Sequence, residues 1–148
     1  MNELNLRDLK QFGEKLGASL QPPVVIELIG DVGAGKTTLT KSIAKGIGIT
    51  QTVQSPSFTI CNHYQAPHGT ELHHYDFYRI NDPGLMSFEL HESMHNPLAV
   101  TVIEWGRSVN TLLPDNRLRI YIKASQELSR RSLEINGPLP AALRQWVK

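Results

Sequence analysis

Val24-Val25-Ile26-Glu27-Leu28-Ile29, followed at once by Gly30-Asp31-Val32-Gly33-Ala34-Gly35-Lys36-Thr37, decides the fold. The first run is mostly apolar and β-branched, as a buried parallel strand is. The second matches G-x-x-x-x-G-K-[ST]. Beyond it, Leu39, Ile43, Ala44 and Ile47 fall on one face of a helix. Strand, glycine loop and helix are the context that this motif requires. Glycines let backbone N–H groups meet phosphate oxygens with no side chain in the way. The helix N-terminus aims further N–H groups and its positive dipole end at the same anion. Lys36 can reach the β- and γ-phosphates, and the Thr37 hydroxyl can ligate Mg²⁺. A glycine-rich turn with a chance lysine would not come with both flanking elements.

Upstream, Leu9, Phe12, Leu16 and Leu20 recur at helical steps, so 5–20 reads as an amphipathic helix. Asn5 is its expected cap, Asp8 sits in the first turn, and Pro22-Pro23 stops it. Downstream, Gly46 and Gly48 mark the end of the second helix. Residues 57–64 and 71–79 read as strands of an antiparallel hairpin around a turn at 65–70. A helix is expected at 84–95, and a buried strand runs from Leu98 to Ile103, ending at Glu104. Two more strands are expected at 117–123 and 131–136, and a terminal helix at 139–147. This order predicts one α/β domain over 1–148, with parallel core strands, antiparallel additions and helices on both faces.

The 148 residues are enough for one core that needs no staple, burying roughly 68–70% of the unfolded surface. A formal net charge of +1 does not suit a protein that grips a nucleic acid backbone alone. Local basic groups remain at Lys41 and Lys45, one turn apart, and at Arg130-Arg131. Cys61 is the single cysteine, so no intrachain disulfide forms. No apolar run approaches the roughly 20 residues that span a bilayer, and the first residues carry no signal pattern. A cytoplasmic location follows as the expectation.

A phosphate loop needs an acidic partner for its metal. Glu104 is one candidate, because ligands of open α/β sheets sit at the carboxyl ends of strands. Asp76, in His74-Tyr75-Asp76-Phe77-Tyr78-Arg79, is the other. Either could instead be a solvated edge carboxylate.

Four segments occur in a fixed order: Gly30–Thr38, Ser55-Pro56-Ser57-Phe58-Thr59, His74–Arg79 and Ile103-Glu104-Trp105. Together they resemble the TsaE family, also called YjeE, over about residues 4–124. The resemblance implies a bacterial ATPase that takes part in making threonylcarbamoyladenosine in tRNA. It implies that Gly30, Asp31, Val32, Gly33, Ala34, Gly35, Lys36 and Thr37 bind ATP, with Thr38 adding an α-phosphate contact. Ser57 stands where the family usually has threonine and keeps the hydroxyl for Mg²⁺ or the γ-phosphate. Asp76 would be the metal-linked carboxylate, and Glu104 would position or activate the attacking water and lie at the metal. The resemblance places Trp105 near the nucleotide, while core packing is its plainer role. Arg79 would pair with an acid or bind a partner. TsaB and TsaD would be the partners, with TsaD carrying the transfer chemistry and tRNA reached through the complex. Two positions depart from the family pattern: Phe88-Glu89-Leu90 replaces a glycine step, and Gly106 stands where proline is frequent.

Rival readings exist. His91-Glu92-Ser93-Met94-His95 matches the zinc motif H-E-x-x-H. Asn96-Pro97 ends that helix at its second ligand, and no third ligand stands out. His73 and His74 point to opposite faces of a strand. A small-molecule kinase could use Arg130-Arg131 in a lid. A nucleotide-switched assembly factor would bind ATP without turnover. No N-K-x-D stretch is present, which favours ATP over GTP.

Overall fold

Apolar residues at helical spacing give the first helix its inner face. This helix, α1 (Leu6–Ser19), buries Leu9, Phe12 and Leu16. Asn5 caps it as expected, its side chain accepting from the Asp8 N–H at 2.8 Å. The structure, a computed structural model, describes residues 3–56, 58–127 and 129–146.

The second helix, α2 (Lys36–Ile47), lies directly against α1, and glycines set how close it comes. A Cβ on Gly17 would stand 2.1 Å from the Ile43 carbonyl oxygen, and one on Gly46 2.1 Å from that of Glu14. Gly46 therefore does not end the helix, contrary to the sequence reading. It lies inside α2 and serves the helix contact. Gly48 is the cap, left-handed at φ 101°, and its N–H donates to the carbonyls of Ala44 and Lys45. Gly17→Ala is expected to destabilise the fold by about 1–3 kcal/mol, because the obstacle is backbone and cannot swing aside. Thermal melting checks this; an unchanged midpoint would mean that the helices part at no cost.

A seven-stranded sheet forms the centre. Its strands are β1 (Glu3–Asn5), β2 (Val24–Ile29), β3 (Cys61–Gln65), β4 (Glu71–Asp76), β5 (Ala99–Glu104), β6 (Leu118–Ala124) and β7 (Arg130–Asn136), in the order β1-β7-β6-β2-β5-β4-β3. The run β6-β2-β5-β4 is parallel, and β3, β7 and β1 add antiparallel edges. α1 and α2 cover one face, over Ile26, Leu28, Leu72, Val100 and Val102. A third helix, α3 (Met86–His95), and a 3₁₀ helix, η1 (Gly106–Leu112), cover the other through Leu90 and Val109, against Val25, Tyr75 and Ile103. The expected α/β class is the observed one.

Beneath η1, the buried Arg117 guanidinium donates to Glu27 at 2.6 Å, to Asn110 at 2.9 Å and to the Pro114 carbonyl at 3.0 Å. Such a pair tolerates burial because its donors are satisfied.

Several boundaries differ from expectation. The hairpin strands are shorter. Ile60 turns the chain at φ 67°, with its N–H on the Pro56 carbonyl, so β3 starts only at Cys61. β4 stops at Asp76, whose carboxylate takes the Tyr78 N–H at 2.9 Å and starts a turn. The terminal helix is a 3₁₀ turn over Ala141–Trp146, opened by the Leu143 N–H on the Pro140 carbonyl, and residue 147 lies outside the described residues. β1 was not expected at all; it is too short for a periodicity to register.

Candidate nucleotide site

The loop between β2 and α2 takes its shape from two left-handed glycines, Gly33 at φ 80° and Gly35 at φ 116°. Apart from its chain neighbours, no atom of the described residues lies within 4 Å of a Cβ placed on Gly33, so this position is open. Gly30 is needed for the opposite reason, because a Cβ there would meet the Ile122 carbonyl oxygen at 2.5 Å. The Leu39 N–H bonds the Gly35 carbonyl at 2.9 Å as α2 begins, so the N–H groups of its first turn have no intrahelical acceptor.

Lys36 is buried at the head of α2. Its ammonium donates to the carbonyls of Gly30 and Asp31, at 2.5 and 2.9 Å, and sits 4.4 Å from the centre of the Trp105 ring. Burial lowers its pKa, and the charges of Glu104, Asp76 and Asp31 oppose that shift. Trp105 is held at φ 56° directly after β5, with the Tyr78 ring 4.7 Å away. It touches the site rather than filling the core.

The two carboxylates meet through strand register. Asp76 and Glu104 end β4 and β5 as a register pair, side by side on the face that α2 covers. Neighbouring strands are about 4.8 Å apart, so the two groups share one locale. Burial raises the Asp76 pKa; the Tyr78 N–H opposes this, Glu104 adds to it, and His74 and Lys36 oppose it. Glu104 is 3% exposed and is hydrogen-bonded to Nε2 of His74.

One cleft of about 690 Å³ gathers Val32, Gly33, Gly35, Lys36, Thr37, Thr38, Asp76, Glu104 and Trp105, with Phe58, Arg79 and Arg131 at its walls. Gly30, Asp31 and Ala34 line the back of the loop instead, toward β6 and β7. Ser57 lies outside the described residues. The donor set is of the right chemistry for a triphosphate with Mg²⁺: open backbone, a lysine cation, and hard oxygens from Thr37, Asp76 and Glu104.

Two contacts were missed by sequence reasoning. Arg131 of β7 donates to the loop carbonyls of Ala34, at 2.6 Å, and Gly33, at 3.3 Å. It braces the loop, and as a strand residue it is no lid. Its only sequence signal was its charge. His74 bears on Glu104, a relation that becomes visible once β4 and β5 are aligned in parallel. The zinc reading finds no support among the described residues. His91 and His95 do stack on one helix face, 4.2 Å between ring centres, but they belong to no group of three ligating side chains. Among the described residues the one such group is Cys61 and His63 of β3 with Glu89 of α3.

A β-strand, a phosphate loop capping a helix and acids at the neighbouring strand ends define the P-loop class of nucleotide-binding proteins. The family described as "Threonylcarbamoyl adenosine biosynthesis protein TsaE" matches residues 4–133. The chain belongs to this TsaE family. It is 38% identical over 127 residues to the tRNA threonylcarbamoyladenosine biosynthesis protein TsaE of Bacillus subtilis, spanning 86% of this chain and 78% of that one. It is 32% identical to the TsaE of Haemophilus influenzae, over 76% of this chain and 73% of that one. The crystal structure of Bacillus subtilis YdiB superposes with a TM-score of 0.73 at 34% identity, covering 93% of this chain and 87% of that one.

Proposed function

We propose that the chain is a Mg²⁺-dependent ATPase that acts in the cytoplasm with TsaB and TsaD proteins in threonylcarbamoyladenosine modification of tRNA. The observation that carries this reading is the convergence of Lys36, Thr37, Asp76 and Glu104 on one cleft. Family membership supports the pathway. Among the described residues no helix is long and apolar enough to cross a membrane.

In this reading the backbone of Gly33 and Gly35 and the first turn of α2 bind the phosphates, and Thr38 extends that contact toward the α-phosphate. Lys36 supplies the positive charge that grows in value as charge builds on the transferring phosphoryl group. Thr37 and Asp76 hold Mg²⁺, which when bound would neutralise phosphate charge. Glu104 orients the attacking water, and the carboxylate oxygen that His74 leaves unbonded would also be available to the metal. Trp105 and Tyr78 wall the cleft and exclude other water.

The two acids should then fail differently. Asp76→Ala is expected to weaken Mg²⁺-dependent nucleotide binding, because a metal ligand acts already in the ground state. Glu104→Ala is expected to spare binding and slow turnover, because a water-orienting group acts mainly in the transition state. Nucleotide titration and single-turnover phosphate release, with no acceptor added, check both. The reverse pattern would exchange the two roles. A phosphorylated acceptor in place of free phosphate would indicate a kinase, and tight binding without either product a switch.

A further inference from the structure

We propose that His74 is the positioning residue for Glu104, its Nε2–H fixing one carboxylate oxygen so that the other faces the cleft. This rests on the reading of Glu104 given above.

The register makes the contact. His74 of β4 pairs with Val102 of β5, and Asp76 pairs with Glu104. Side chains alternate along a strand, so His74, Asp76, Val102 and Glu104 share one face. His74 is thus the diagonal neighbour of Glu104, within reach of long side chains. The His74 side chain is wholly buried and meets Glu104 at Oε2. His74 leaves the other oxygen, Oε1, unbonded, and Glu104 lines the cleft.

The unpartnered ring nitrogen fixes the tautomer. Nδ1 of His74 is buried and has no hydrogen-bond partner among the described residues. A proton on Nδ1 would leave a buried donor unmet and turn the Nε2 lone pair toward a carboxylate. A proton on Nε2 donates to Glu104 and leaves only an unused lone pair at Nδ1. An unmet donor costs more than an unused acceptor, so Nε2 carries the hydrogen. A glutamate has three side-chain torsions, and the charges of Lys36 and Asp76 nearby are not directional enough to select one arrangement of its oxygens. The directional N–H bond does. Misplacement of a reacting group by about 1 Å can cost about 10²-fold in rate, which sets the scale of what this bond protects.

A residue that merely fills space would make a different prediction from one that supplies an N–H at a defined point. The amide nitrogen of glutamine can stand near Nε2, whereas that of asparagine stands near Nδ1. With the full chain, ATP and Mg²⁺, single-turnover phosphate release is measured with protein in excess, alongside nucleotide affinity and thermal melting. His74→Leu and His74→Asn are expected to keep nucleotide affinity and to lose about 10²-fold in rate. His74→Gln is expected to recover most of that loss. His74→Leu combined with Glu104→Gln should be no slower than Glu104→Gln alone. In the wild-type chain, nitrogen-15 spectra of the histidines should show His74 with its proton on Nε2.

A wild-type rate in His74→Leu, beside a slow Glu104→Gln, overturns the positioning role alone. Equal losses in the leucine, asparagine and glutamine variants overturn it too, as does an Nε2 that carries no proton. A wild-type rate in Glu104→Gln overturns the reading of Glu104 and takes this inference with it. Should the leucine variant not fold, the glutamine and asparagine pair still decides the matter.

Discussion

Lys36→Ala is expected to lose about 10²–10³ in the rate of ATP hydrolysis while the chain stays folded, because one donor of transition-state charge stabilisation is typically worth that much. The geometry explains why no neighbour can stand in. The ammonium is held at the head of α2 by the carbonyls of Gly30 and Asp31 and lies over the Trp105 ring. Three carboxylates, Glu104, Asp76 and Asp31, favour its charge against the burial that opposes it. Of the arginines at the cleft, Arg131 is bonded to the loop carbonyls, and Arg79 is exposed at the rim, 6.0 Å from the Phe58 ring. Phosphate release by the purified variant measures the loss, and thermal melting reports the fold. A wild-type rate would remove the cleft from consideration as the active site.

TsaB and TsaD proteins from the same organism are expected to raise phosphate release well above that of the isolated chain. Family membership gives one motive. The placement of the arginines gives the other. Arg107, two residues beyond Trp105, lines a separate hollow beside Glu27 and Asn110. Arg131 reaches the cleft but is bonded to the loop, and Arg79 lies at the rim beside Phe58. An arginine supplied at the γ-phosphate adds roughly 10³–10⁵ in P-loop enzymes, so a site without one idles. A partner could supply that arginine, or release Arg79 from Phe58, which is 91% exposed on the rim. The comparison is phosphate release with and without both proteins, in the presence and absence of tRNA. Rapid turnover by the chain alone, unchanged by either protein, would count against the proposal.

The phosphate loop was legible because its demands are local. Glycines at 33 and 35 adopt backbone angles that other residues resist, and their spacing from Lys36 is fixed within one turn of chain. The strands and the α/β class were legible for a similar reason, since apolar runs such as Val24–Ile29 and Ala99–Glu104 declare burial on both faces. What stayed hidden depends on register between distant segments. Nothing in a linear reading sets Asp76 beside Glu104, or turns His74 toward it; that requires β4 and β5 in parallel alignment. Arg131 reaches the loop only because β7 folds back along β6. Gly46 was misread because a glycine near a helix end signals a cap, whereas here it answers the backbone of α1.

β2 is synthesised long before either strand that flanks it. Its partners in the sheet are β5 and β6, which begin at Ala99 and Leu118. At about 5–20 residues per second, several seconds separate the emergence of the glycine motif from that of its first neighbour. During that interval α1 and α2 can pair, but Val25, Ile26 and Leu28 have no strand on either side. The last brace of the loop, Arg131, arrives later still. A ribosome stalled before residue 99 therefore displays the whole phosphate-binding motif on an unflanked apolar strand, a target for chaperones rather than for ATP.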